Sequence, residues 1–219
     1  MKVRNLDYSN RKIIPIFPSL LYQDAKVNGF DEVKDGLIEY AYKQKEEDDD
    51  INQVVSNRGG WQTPNSKMRF YNTESFQPYM GWFGERLKEY LDHMDFKMTT
   101  GRDIYLSSMW FNINGKGHYN TSHHHPETTV AGILWLKTPK DCGSLYFESP
   151  HEFAEHGFQQ MQKQEMIDQY LACPTYRIFP NEGLMILFPS HMRHAVEINQ
   201  SDEDRISLAF NIDFRKINE

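Results

Sequence analysis

The sequence predicts a mostly β protein, a sandwich or barrel with N-terminal helices packed outside it, and three observations carry this reading. From about residue 103 the chain breaks into short β-rich runs: "IYLSSMWFNIN", "TVAGILWLK", "GSLYFES", "TYRIF", "GLMILFP", "HAVEIN" and "RISLAFNIDF". Gly, Pro and Asn separate them, as in closed or two-layered β architectures. Upstream of these runs, apolar residues fall instead at helical spacing. Finally, 219 residues with 39% hydrophobic and 14% aromatic content are enough to bury one substantial core. The expected organisation is one domain over residues 1–219, with 1–102 as N-terminal strand and helical support and 103–219 as the β core.

Taken in order, "KIIPIFPSLLYQ" (12–23) reads as a short strand whose prolines favour a sheet edge. "DEVKDGLIEYAYKQKEEDDD" sets Val33, Leu37 and Tyr40 on one helical face and ends in a solvated acidic run. "SNRGGWQTPNS" (56–66) is a turn-rich loop whose Trp61 should pack down on the body. In "TESFQPYMGWFGERLKEYLDHM" a Thr precedes acidic residues and a periodic apolar pattern, the mark of a second helix. A polar, Gln-rich insertion with helical character occupies 151–174. It and the loop around Trp61 are expected to cover the mouth of a site, since lids are commonly loops.

The formal charge of −7 argues against sequence-independent nucleic-acid binding, which needs a basic surface. Cys142 and Cys173 have no paired spacing, so a disulfide framework is not expected and a reducing cytoplasm is the natural setting. The opening "MKVRNLDYSNRK" lacks the apolar stretch of a secretory signal, and no run of about 18 apolar residues suggests a membrane span. No membrane or nucleic-acid partner is expected; assembly is left open, a homodimer included.

The chemistry concentrates in "TSHHHPETT" (121–129), where three of the nine histidines stand together. If 123–125 begins or ends a strand, period two puts His123 and His125 on one face and His124 on the other. Two imidazoles on one face can chelate a metal, and a third protein ligand completes a typical open catalytic site. His194, in "GLMILFPSHMRHAVEIN", is the candidate. Glu127 keeps a second set open, because His125-Pro126-Glu127 has His-x-carboxylate spacing. In the last strand, Ile206, Leu208, Phe210 and Ile212 form an apolar face, while Arg205, Ser207, Ala209 and Asn211 form the other. Asn112 and Asn114 share a face with Trp110 in the same manner. The "GKG" at 115–117 lacks phosphate-loop spacing, and no serine or cysteine nucleophile arrangement is visible.

These residues resemble the cupin superfamily. Gly117 is followed by five residues and then His123-His124-His125, and Gly183, Pro189 and His194 keep the spacing of the second cupin motif. The glutamate of the first motif is absent, Thr129 or Val130 standing there, and His191 replaces a glycine. Arg205 and Ser207, eleven and thirteen residues after His194, resemble the 2-oxoglutarate anchor of iron-dependent oxygenases. With "NRGGWQT", "MWFNINGKGHYNTSHHHPETTVAGILWLK" and "EGLMILFPSHMRHAVEINQSDEDRISLAFNI", the chain is similar to a family of 2-oxoglutarate and Fe(II)-dependent oxygenases that carry His-x-His-Pro in place of the commoner His-x-Asp.

The resemblance implies a cupin-like double-stranded β-helix, or jelly roll, with Fe(II), 2-oxoglutarate as cosubstrate and dioxygen. It implies His123, His125 and His194 as metal ligands, Arg205 forking onto the distal carboxylate and Ser207 adding a hydrogen bond. Asn112 and Trp135 would line the cosubstrate, Trp135 where relatives often place a tyrosine. The implied activity is dioxygenase chemistry, hydroxylation foremost, on a small-molecule or peptide substrate the sequence does not name. Two rivals are a three-histidine metallo-cupin enzyme that uses no 2-oxoglutarate and a non-catalytic binding module. Arg205-x-Ser207 is the feature that separates them.

Overall fold

The structure, a computed structural model, describes residues 19–48, 56–93, 102–150, 161, 163–170 and 173–216. Helix α1 (Phe30–Glu46) turns Phe30, Leu37 and Ala41 inward. Asp31 and Glu32 in its first turn and Lys43 and Lys45 in its last complement the helix dipole. Helix α2 (Gln77–His93) carries Pro78 in its first turn, where the missing N–H costs nothing, and buries Phe83 and Tyr90. A third helix, α3, spans Gln164–Tyr170. It is the described helical part of the 151–174 insertion, of which residues 151–160, 162, 171 and 172, and with them most of the expected lid, lie outside the described residues. Among the described residues no helix is long and apolar enough to cross a membrane.

Eleven strands follow chain order among the described residues: β1 (Tyr22–Asp24), β2 (Asn57–Arg58), β3 (Trp61–Gln62), β4 (Arg102–Asn114), β5 (Tyr119–His123), β6 (Val130–Lys137), β7 (Leu145–Glu148), β8 (Thr175–Ile178), β9 (Met185–Pro189), β10 (His194–Val196) and β11 (Arg205–Lys216). They form two antiparallel sheets, one ordered β1-β9-β6-β11-β4-β3 and the other β2-β5-β10-β7-β8. The fold is the mostly β jelly roll that the sequence led us to expect. β1 lies at a sheet edge, as expected of the proline-bearing segment, although the part of that segment before residue 19 is outside the described residues.

The larger sheet is buried on both faces. On its outer side Met109, Phe111, Leu134, Leu187, Leu208 and Phe210 pack with Phe30, Leu37, Phe76 and Phe83 from the helical layer. On its inner side Ala131, Trp135, Ile186 and Phe188 meet Leu145, Phe147 and Ile178 of the smaller sheet. The strand period of two therefore sorts side chains between two different interiors.

The turn-rich segment 56–66 borders the interior cavity through its first residue, Ser56. It threads β2 into the small sheet and β3 into the large one, so it ties the sheets together. Trp61 packs against the outer core, as the sequence suggested, and its Nε1–H donates to Asp48 Oδ2 at 2.8 Å.

Gly132 marks the tightest helix-side contact. A Cβ there would lie 2.2 Å from Cζ of the fully buried Phe210. Gly132→Ala is expected to destabilise the fold by about 1–3 kcal/mol, the usual cost of overpacking a closed core, read as a lower urea midpoint. An unchanged midpoint would show that the Phe210 ring has room to move.

Candidate metal centre and anion pocket

His123, the last residue of β5, is the register partner of His194, the first residue of β10. Cross-strand neighbours bring side chains of one face together, and the two ring centroids are 4.3 Å apart. His125 joins them from beyond the strand end, its backbone N–H donating to the Ser190 carbonyl at 2.9 Å. One ligand atom from each of the three rings lies within 4.8 Å of the others. His123 Nδ1 sits 2.8 Å from the Thr121 carbonyl and His194 Nδ1 2.9 Å from that of Met192. A carbonyl oxygen only accepts, so Nδ1–H donates in both and each Nε2 keeps its lone pair for a metal.

The surroundings keep these rings neutral. Burial pushes His194 down to about 3 and His125 to about 4, and the charge of His123 adds to both; burial also lowers His123. Phe188 meets His194 edge-on at 4.9 Å, and Trp110 lies over His125 at 5.6 Å with 24° between planes. Neutral nitrogen donors around a partly apolar cavity suit a borderline divalent transition metal.

The cavity extends from the histidines to Arg205, which is 3% exposed. Arg205 Nη1 donates to the main-chain carbonyls of Cys142 and of Glu197, the latter at 3.0 Å. Its Nη2 is buried without a hydrogen-bond partner, and no described carboxylate pairs with the group. Burial lowers Arg205 to about 10, which leaves it a cation at neutral pH. A buried cation with a spare donor is costly unless an anion completes it. Trp135, Ser207 and Asn112 form one register row across β6, β11 and β4 beside it, all lining the cavity. Asn112 Oδ1 is also unpartnered; turned end for end, the amide would present its donor.

The structure thus brings together His123, His125 and His194 at one end, and Arg205, Ser207, Asn112 and Trp135 at the other. It does not bring in Glu127, exposed in the turn after Pro126, nor His124, also exposed. Nη1 of Arg205 is already committed to carbonyls, leaving Nη2 for an anion. Asn120 and Ser56 also line the cavity without having been singled out from the sequence. Asn120 faces inward because β5 is bulged against β10: Val196 pairs with Asn120 while His194 pairs with His123, three residues against two. Period two would have chosen Thr121, and nothing in the sequence signals the bulge.

Comparison with known proteins agrees with this geometry. Residues 108–211 match a family model described as "Putative 2OG-Fe(II) oxygenase". A Pseudomonas putida prolyl-4-hydroxylase structure is similar at 16% identity and a TM-score of 0.55, covering 87% of this chain and 91% of that one. The viral collagen prolyl hydroxylase of Paramecium Bursaria Chlorella virus-1 is similar at 16% identity and 0.53, covering 88% and 94%. The α-ketoglutarate-dependent epimerase SnoN of nogalamycin biosynthesis reaches 0.60 at 11% identity, covering 90% and 77%. At such identities the likeness is one of fold. No curated protein matches.

The depressed imidazoles generate a pH prediction. Their ordinary value is 6.5, so stability from keeping them neutral is present above that pH and lost as pH falls toward 4 and then 3. The metal-free protein should show a lower urea unfolding free energy at about pH 5 than at about pH 7. His194→Gln should show a smaller difference between the two, and an equal difference would mean that His194 is not held neutral by its burial.

Proposed function

Since the chain carries a 2OG-Fe(II) oxygenase domain across residues 108–211, whose chemistry uses Fe(II), 2-oxoglutarate and dioxygen, we propose that His123, His125 and His194 hold the ion, that Arg205 anchors the cosubstrate, and that the reaction is hydroxylation of a small molecule or peptide. The observation that carries the reading is the Arg205 guanidinium: buried, charged, without a carboxylate partner among the described residues, and with Nη2 open. A dicarboxylate is the ligand that satisfies it. A metallo-cupin enzyme without an oxoacid, or a passive binding module, has no use for such a group.

The donor set fits the ion. Three imidazoles leave the double positive charge of Fe(II) intact, which the proximal carboxylate of 2-oxoglutarate would partly offset while the distal one meets Arg205. When bound, iron and cosubstrate supply the oxidising chemistry, in which dioxygen is consumed and succinate and carbon dioxide are released. The chain's own residues do the rest. The carbonyls of Thr121 and Met192 fix the tautomer and tilt of His123 and His194. Arg205 receives the distal carboxylate through Nη2, with the Ser207 hydroxyl and the Asn112 amide in the adjacent row. Phe147 and Phe188 keep water from the metal side, and Trp135 walls the cosubstrate side. Prolyl hydroxylation is the activity named for two of the similar structures; at 16% identity their substrate is not carried over, and the substrate class remains a small molecule or peptide.

The overall test is release of succinate and carbon dioxide from 2-oxoglutarate by the iron-loaded protein; no release would end the oxygenase reading. Among variants, His194→Ala should lose iron after anaerobic reconstitution, whereas Glu127→Gln should retain it, as metal analysis would show. The reverse ranking would transfer the site to Glu127. Arg205→Ala should bind iron or manganese normally but lose about 2–5 kcal/mol of 2-oxoglutarate affinity in anaerobic calorimetry, the cost of removing one partner of a buried charge pair. Arg205→Lys should recover only part of this, because an ammonium cannot reproduce the planar array of donors. Wild-type affinity in Arg205→Ala would separate the arginine from the cosubstrate.

A further inference from the structure

Arg205 is not held by an acid but aimed by main-chain carbonyls, and the origin of those carbonyls lies outside the cavity. The turn before β7 contains Asp141 at φ 61° and Gly143 at φ 84°, both in the left-handed region. A Cβ on Gly143 would stand 2.6 Å from the Glu197 carbonyl oxygen and 2.8 Å from that of Ile198, so only glycine lets the turn lie against the segment after β10. This close approach sets the Cys142 and Glu197 carbonyls on the same Nη1. The outer surface ties the contact down. Glu197 carboxylate oxygens accept from the Ser144 backbone N–H at 3.2 Å, from Ser144 Oγ–H at 2.6 Å and from Arg177 Nε–H at 3.2 Å. Two further main-chain bonds join the segments, Glu197 N–H to the Ser144 carbonyl at 2.9 Å and Gln200 N–H to that of Asp141 at 3.0 Å.

We propose that Gly143 and Glu197 are positioning residues for the cosubstrate. They clamp the 141–144 turn to the 197–200 segment, so that Nη1 of Arg205 is consumed by carbonyls and Nη2 is left pointing at the distal carboxylate of 2-oxoglutarate. Neither residue touches the cosubstrate. Their effect is on the distal carboxylate alone, because the metal end of the cavity is built from β5, β10 and the 125–129 turn. The proposal rests on the oxygenase reading, and the experiment separates the two.

The experiment is anaerobic calorimetry with the manganese-loaded full chain and two probes: 2-oxoglutarate, and 2-oxopentanoate, which has the same carbon chain without the distal carboxylate. Gly143→Ala should weaken 2-oxoglutarate binding about tenfold or more, as expected for a misdirected charge-assisted hydrogen bond, with 2-oxopentanoate and manganese affinity unchanged. Should that variant fail to fold, the half-exposed Glu197 side chain gives the second test. Glu197→Ala should weaken 2-oxoglutarate by about threefold, while Glu197→Gln, which keeps acceptor oxygen for Ser144, should bind it nearly as wild type does. Unchanged 2-oxoglutarate affinity in Gly143→Ala and Glu197→Ala, or equal weakening of both probes, would overturn the positioning role. Failure of the wild type to bind 2-oxoglutarate would overturn the oxygenase reading itself.

Discussion

A sheet with no solvent face is the constraint on which this molecule rests. Each long strand of the larger sheet must satisfy a helical layer on one side and a reactive interior on the other, and the backbone allows only strict alternation to do it. β11 shows the division: Ile206, Leu208, Phe210 and Ile212 belong to the outer core, and Arg205 and Ser207 to the cavity. A one-residue slip would drive Phe210 into the cavity and a guanidinium into the outer core beside Ile113. The same packing that holds the helices therefore fixes which way the functional groups point.

Electrostatically the cavity is lopsided by design of its walls. One end carries neutral nitrogen donors, the other a permanent cation, and the described residues offer no acid between them. In a medium of low polarity both ends favour the same guest: a small anion with a second anionic group able to reach a metal. Affinity and orientation then come from one arrangement, because a ligand bound backwards would satisfy neither end as well.

Much of this was legible in the sequence, and the reasons are local. His123 and His194 were visible through their spacing from Gly117 and from Gly183 and Pro189, and the faces of β11 because seven or more residues alternate without interruption. His125 was singled out too, on strand period, whereas it reaches its neighbours from beyond the end of β5 and is placed by the bond to Ser190. What escaped was set by irregular backbone. The bulge that turns Asn120 inward, and the stitching of the two sheets by segment 56–62, are products of pairing between distant strands. Glu127 had suitable spacing but stands in a turn that directs it to solvent. The carbonyls on Arg205 Nη1 were beyond reach too, since backbone acceptors carry no residue signature.

The pairing of His123 with His194 has a topological side. These two residues are neighbours in space yet enclose residues 124–193, a span that contains β6, β7, β8 and β9. An ion shared between them would close that whole loop at a single point, as a removable clasp rather than a covalent link. Closing a long loop is entropically expensive for an unfolded chain, and a ligand that binds only the closed form shifts the balance toward it in proportion to its own occupancy. Metal supply would then act on how long the barrel stays shut, and the integrity of about a third of the chain would be coupled to the availability of one atom.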